Sequence, residues 1–330
     1  MQVLSAADVR KALPMDAAID AMRRAFAALS SGRANVPHRI HLPVESHEGV
    51  TLVMPALVDD PREATMAVKV VSLFDRNSSR GLPRIQAAVL AVEADTGQPT
   101  ALVEGTTLTA IRTGAASGLA TDLLARSDSR VAAILGAGVQ ARTQLEAVCT
   151  VRRIETVWIF DPVSAATEAM IAEMAGAGPV PGDVRAARST REALAEADVV
   201  CAATVSHTPA FDDADLKPGV HLNAIGSYQP HVQEVPPETV VRSLLVVDDR
   251  ETVLEEPGDL LKPIRAGLIG PDHIHADLGE LVLGLKPGRE HDEQLTFFKS
   301  VGIAVQDALA VQTALENAKR LRLGQEVPFL

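Results

Sequence analysis

The sequence predicts an α/β protein: a doubly wound parallel sheet joined to a smaller α+β domain. Three observations predict it. Residues 130–161 read as strand, glycine-rich turn, helix and second strand. After Asp161, short apolar runs and helical segments keep alternating, as parallel-sheet proteins require. A last helix, expected from Ser300, begins once that sheet is complete and so should return to the N-terminal region. The expected domains are therefore 1–118 with 300–330, and 119–299.

In chain order, Ser5-Ala6-Ala7-Asp8 reads as a helix cap and first turn, and residues 14–30 as a full helix. Ile19, Met22, Phe26 and Leu29 form its apolar stripe, Asp20, Arg23 and Arg24 face water, and Gly32 ends it. Residues 36–42 alternate like a half-buried strand, and 51–55 form another that Pro55 stops. Residues 65–71 are a strand holding Lys69, although an apolar strand does not readily bury an ammonium. Two readings stand: Lys69 snorkels from an edge strand, or it lines a pocket facing a carboxylate. Residues 84–93 and 101–104 are strands joined by a turn at Asp95-Thr96-Gly97-Gln98. A helix over 107–124, capped by Thr106 or Thr107, carries Arg112 among small residues. That arginine is either salt-bridged or a ligand.

Gly136-Ala137-Gly138-Val139-Gln140-Ala141 matches G-x-G-x-x-G/A between a strand and a helix. Gly136 permits the turn, Gly138 lets backbone approach a pyrophosphate, and Ala141 allows close helix–strand packing. Asp161, 25 positions after Gly136, can hold ribose hydroxyls, and an acid there favours NAD(H), with NADP(H) left open. Further strands are expected near 184–187, 197–204, 220–226 and 244–248, which makes six in the sheet. They deliver Thr204, Ser206 and Gly226 to its carboxyl edge, where ligands lie in such folds. His207 is either near the nicotinamide or an ordinary loop histidine. His273-Ile274-His275 reads as a solvated loop rather than a metal site, and no metal is expected. Residues 296–298 form a short strand.

A net charge of −12 argues against non-specific nucleic-acid binding, and no basic-aromatic groove appears. Cys149 and Cys201 fall in segments expected to be buried and suit a reducing, cytoplasmic setting. No signal peptide and no apolar run of about 18 residues is present, so no membrane association is expected.

The motifs as a set resemble the ornithine cyclodeaminase and mu-crystallin family over residues 5–318. They include Arg39, Met54-Pro55, Lys69 with Phe74, Gly81-Leu82-Pro83, Thr109-x-x-Arg112-Thr113 and the glycine turn. Leu278-Gly279-Glu280, Pro287-Gly288-Arg289 and Ser300-Val301-Gly302 with Asp307 complete them. The resemblance implies a homodimer in which a substrate-binding and dimerisation domain accompanies a Rossmann domain, with the active site between the two. It implies substrate binding by Arg39, Met54, Lys69 and Arg112, with Lys69, Arg112, Arg39 and Tyr228 catalytic. The implied nucleotide set is Thr113, Gly136, Gly138, Val139, Gln140, Asp161, Thr204, Ser206 and Gly226. Aligned on Glu234, Tyr228 replaces the aspartate of ornithine cyclodeaminases, and a phenol cannot serve as that carboxylate. The Gly226-Ser227-Tyr228-x-Pro230 form looks like the family's ketimine reductases, enzymes of proline metabolism that reduce Δ1-pyrroline-2-carboxylate or Δ1-piperideine-2-carboxylate to proline or pipecolate. An alanine dehydrogenase and a non-enzymatic ligand-binding protein are the alternatives.

Overall fold

The computed structural model describes residues 1–59 and 64–329. By its internal contacts the chain divides into two compact units, Met1–Arg112 with Ile303–Leu330, and Thr113–Gly302.

The first unit opens with β1 (Gln2–Leu4), α1 (Ala6–Ala12) and α2 (Met15–Ser30). Ser5 and Asp8 form a reciprocal capping box on α1, and Gly32 leaves α2 at φ +72°. Arg24 does not simply face water, since its guanidinium donates to Gln312 Oε1 and Thr313 Oγ1. β2 (Ala34–Asn35) and β3 (Ile40–Val44) are separate strands, so the single strand expected over 36–42 is corrected. Nor is this segment half-buried, as Ile40 and Leu42 are 61% and 59% exposed.

β4 (Gly49–Asp59) runs through Pro55 instead of stopping there. The reason lies in the pairing: β3 reaches only Val53 on β4 and β2 begins at Leu57. Pro55 falls in the gap, where no N–H is required. β5 (Ala64–Phe74), β6 (Ile85–Glu93) and β7 (Pro99–Glu104) continue the antiparallel sheet, and β1 joins β7 in parallel. Gly97, at φ +74°, makes the β6–β7 turn. α3 (Gly105–Leu124) follows, capped by Glu104, whose two carboxylate oxygens accept the N–H groups of Thr106 and Thr107. The threonines expected as caps are thus the capped residues.

In the second unit β8 (Val131–Leu135), α4 (Val139–Val151), β9 (Thr156–Phe160), α5 (Ser164–Met174), β10 (Val184–Ala186), α6 (Thr190–Leu194) and β11 (Val199–Ala202) alternate. β12 (His221–Ala224), α7 (Pro237–Arg242), β13 (Leu244–Val247), α8 (Arg250–Val253) and α9 (Gly258–Arg265) come next, then β14 (Ile274–Asp277), α10 (Leu278–Val282) and β15 (Thr296–Lys299). All strand pairs are parallel, in the order β10-β9-β8-β11-β12-β15-β13-β14. The order reverses across β8 and β11, the switch point of a doubly wound sheet. Eight strands replace the six expected. One addition is β14: the presumed loop at His273–His275 pairs with β13 because Ile274 and Ala276 are buried on it. Cys149 and Cys201 are buried free thiols pushed up to about 12 by burial.

The chain then re-enters the first unit as α11 (Ala304–Leu321), and β16 (Gln325–Glu326) pairs with β1. The helix does not begin at Ser300. Ser300, Val301 and Gly302 instead donate to Asp248 Oδ2, at 2.7, 2.9 and 2.7 Å, and Gly302 turns at φ +80°. α11 packs on α1, α2 and the inner faces of β4, β5 and β6. The opposite sheet face carries apolar side chains too, including a cross-strand row Pro55–Val68–Leu90–Leu102. Leu57, Val70 and Leu102 on it are 39%, 42% and 38% exposed. Among the described residues, no helix is long and apolar enough to cross a membrane.

Candidate active site

Lys69 lies on β5, with β4 on one side and β6 on the other, so it is not an edge residue. Strand alternation turns it inward while Val68 and Val70 point out. Met54 and Val89 are its cross-strand neighbours, and it is only 1% exposed. The snorkelling reading is therefore excluded. Its partner is Asp307 on α11, with Nζ 2.6 Å from Oδ2. Asp307 Oδ1 accepts the Nε–H of Arg112 at 3.0 Å, and Gln306 Oε1 accepts from Nη1 of the same arginine at 2.6 Å. Consecutive α11 residues thus fix the Arg112 guanidinium, while one carboxylate serves two cations.

Burial, and then the Arg112 charge, lower Lys69 to about 7, against the opposing pull of Asp307. Arg39, half-buried on the link before β3, lies near enough to add to that lowering. Lys69 and Arg112 therefore meet at Asp307, with Arg39 close to Lys69 and Met54 its register neighbour. Two buried basic side chains, Lys69 and Arg112, share one carboxylate, an excess of positive charge suited to a small anionic ligand. Tyr228 belongs to the second unit, half-buried on the loop after β12.

The glycine turn is built as its spacing predicts. Gly136 sits at φ +101° and donates to the Phe160 carbonyl at 2.8 Å. A Cβ there would stand 2.6 Å from the Ala203 carbonyl oxygen, so only glycine fits. Gly138 is the N-cap of α4, has no side-chain cap, and has nothing within 4 Å of a would-be Cβ. The first N–H groups of a helix have no intrahelical partner, and such a terminus suits a phosphate. Val139 is 65% exposed, Ala141 is buried, and the buried Oε1 of Gln140 has no hydrogen-bond partner. Asp161 accepts the Ala137 N–H at 2.9 Å and the Val163 N–H at 2.8 Å, one on each oxygen. Arg142, which sequence reasoning passed over, donates from Nη1 to the carbonyls of Ala137 and Gly138 and pairs with Glu173. Thr113 is buried, and its carbonyl accepts from Gln144 Nε2. Beside it Gly114 lets α3 approach α4, since a Cβ would lie 2.5 Å from the Thr143 oxygen.

The loops after β11 and β12 meet at Glu234. Its Oε1 accepts the N–H of Thr204 at 2.6 Å and the hydroxyl of Thr204 at 2.9 Å. Its Oε2 accepts the N–H groups of Gly226 and Ser227, at 2.6 and 2.9 Å. Gly226 is obligatory, because a Cβ would lie 1.9 Å from the Thr204 oxygen. The Ser206 hydroxyl donates to the Thr208 carbonyl, and the Ser206 carbonyl accepts from Gln233 N–H. Asp259 on α9 accepts the N–H groups of Glu234 and Val235 with Oδ1 and the Lys299 ammonium with Oδ2, the last at 2.8 Å. Glu234, Asp259 and Lys299 are all 0% exposed. Burial pushes Glu234 up to about 7, with Lys299 pulling it back. A lysine ending the apolar strand Thr296-Phe297-Phe298-Lys299 was the available signal for this cluster. Among the described residues, no group of three or more His, Cys, Asp or Glu is placed to hold a metal.

A doubly wound sheet with a glycine turn at its switch point, together with a second unit carrying buried basic side chains, defines a two-domain oxidoreductase of dinucleotide-binding type. The chain belongs to the ornithine cyclodeaminase/mu-crystallin family, whose model matches residues 1–321. It is 37% identical to a Bacillus cereus Delta(1)-pyrroline-2-carboxylate reductase over 330 residues, all of both chains. The structure of Thermococcus litoralis Delta(1)-pyrroline-2-carboxylate reductase in complex with NADH and L-proline superposes with a TM-score of 0.94 at 42% identity, covering 99% of this chain and 100% of that one. An archaeal alanine dehydrogenase dimer with bound NAD gives 0.92 at 32% identity, over 100% and 99%.

Proposed function

We propose that this chain reduces a cyclic imino acid, Δ1-pyrroline-2-carboxylate or its six-membered homologue, to L-proline or L-pipecolate at the expense of NADH. One observation carries the reading: two buried basic side chains, Lys69 and Arg112, share the single carboxylate of Asp307 in the first unit, with Arg39 close to Lys69. The 42%-identical relative solved with NADH and L-proline supports both the ligand class and the nucleotide.

The nucleotide fits the second unit. Gly136 and Gly138 leave a side-chain-free approach to the α4 N-terminus. Gly136, Gly138, Val139 and Gln140 would hold the pyrophosphate, Asp161 the adenosine ribose, and Thr113, Thr204, Ser206 and Gly226 the remainder. The reduced nicotinamide, when bound, supplies the hydride for C2 of the imine.

The protein's own residues do the rest. Arg112 and Arg39 hold the substrate carboxylate, with Met54 on the pocket wall, and this fixes the reacting carbon. The Lys69 ammonium gives its proton to the imine nitrogen as the C=N bond becomes C–N, and it is neutral afterwards. A lysine lowered to about 7 can do this near neutral pH and can take the proton back in the reverse direction. Tyr228, on the loop after β12, is the remaining candidate for a substrate-shaping role. The exposed apolar sheet face of the first unit supports homodimerisation, because a contiguous apolar patch marks an interaction surface. The two free, buried cysteines support a reducing, cytoplasmic setting.

Loss of nucleotide absorbance tests the reading, with both cyclic imines offered alongside pyruvate plus ammonia, each with NADH and NADPH. Oxidation of NADH by either imine supports the reductase. Turnover with pyruvate and ammonia alone transfers the chain to the alanine dehydrogenases. No oxidation by any pair overturns both readings, and Tyr228 then marks a different substrate or chemistry.

A further inference from the structure

We propose that Glu234, backed by Asp259 and Lys299, is a positioning residue that favours the oxidised, positively charged nicotinamide over the reduced one. This rests on the nucleotide reading above.

Two carboxylates and one ammonium share a fully buried cluster, so its charges do not cancel. Four donors converge on Glu234, three N–H groups and one hydroxyl, an arrangement that selects the carboxylate over the acid. Those donors belong to the loops that follow β11 and β12, so Glu234 holds both loop ends in place. Gly258 keeps the supporting segment close, since a Cβ there would lie 2.3 Å from the Val232 oxygen.

Topology gives this cluster its side of the nucleotide. Asp161 ends β9 on one flank of β8, while β11 and β12 lie on the other. A dinucleotide with its pyrophosphate at the Gly136 turn and its adenosine over Asp161 must run its nicotinamide half toward the β11 and β12 ends. The ring gains a positive charge as hydride leaves. A buried, unbalanced anion beneath that edge stabilises the charge in the oxidised nucleotide and has little to act on in the neutral reduced ring.

The groups bearing on Glu234 are Asp259 on α9 and Lys299 at the end of β15. Glu234 takes up a proton as pH falls through about 7, so the preference for NAD+ should fade over that range.

The experiment measures dissociation constants of NAD+ and NADH for the full chain by fluorescence titration, without substrate, from pH 6 to about pH 9. Wild type should lose relative affinity for NAD+ as pH falls. Glu234→Gln should weaken NAD+ roughly fivefold more than NADH and flatten the pH dependence, while Glu234→Asp, which keeps the charge, should retain both. Equal weakening of the two nucleotides in Glu234→Gln would mean a purely structural role and overturn the proposal. If that variant does not fold, a pH-independent NAD+/NADH ratio in wild type overturns it as well. Failure of wild type to bind either nucleotide refutes the underlying nucleotide reading instead.

Discussion

The two units each bury a small charge cluster, and the clusters are near mirror images. In the first, Lys69 and Arg112 outnumber Asp307, and the lysine is lowered to about 7. In the second, Glu234 and Asp259 outnumber Lys299, and the glutamate is raised to about 7. Burial disfavours the charged form in both, and the surplus of like charge adds to it. A fully balanced buried pair is a structural element. An unbalanced one suits a ligand of opposite sign, which we propose is a carboxylate in one unit and an oxidised nicotinamide in the other.

Removing the titrating lysine is the harshest way to break this symmetry. Lys69→Ala should reduce imine turnover about 100- to 10,000-fold while leaving NADH affinity unchanged. Unaltered turnover in steady-state assays would remove the lysine from the chemistry. On the acidic side, Lys299→Met strips the counter-charge from Asp259 and should cost about 3–5 kcal/mol in urea unfolding. A cost below about 1 kcal/mol would show that Lys299 is not the counter-ion that keeps Asp259 buried.

Asp307→Asn sharpens the comparison by changing proportion rather than partner. Asp307 raises Lys69, so its loss lowers the lysine further. Reduction needs the protonated amine and falls as pH rises through about 7, whereas oxidation of the product rises over the same window. In the variant both limbs should move to lower pH by roughly one to three units, and unmoved limbs would separate Lys69 from the observed titration. The smallest effect is expected from Thr204→Val. It removes one of four donors to Glu234 and should weaken nucleotide binding roughly three- to tenfold.

Much of this was legible in the sequence where local rules dominate. The glycine turn, its flanking strands and Asp161 follow from backbone sterics at fixed spacing, and they stand where expected. Lys69 stood out because an ammonium in an apolar strand demands a partner. The partner itself could not be read, since Asp307 lies 238 positions on, in a helix whose start was misplaced at Ser300. The same anomaly was present at Lys299 and would have pointed to a buried acid. Pro55 and the His273 segment misled because sequence shows what a residue cannot do but not what its neighbours ask of it. Pro55 breaks no ladder only because β3 ends and β2 begins around it, and β14 forms only because β13 offers an edge.

The return of α11 also has a consequence for how the protein is made. The inner faces of β4, β5 and β6 are complete as chain by residue 93, yet the helix that covers them starts at Ala304. On the ribosome the second unit, contiguous from Thr113 to Gly302, can fold while the first sheet still waits for its lid. At roughly 5–20 residues per second, that wait lasts on the order of 10 to 40 seconds, with apolar sheet exposed on both faces. The nascent first unit should therefore be the aggregation-prone stage of synthesis and the part that engages chaperones.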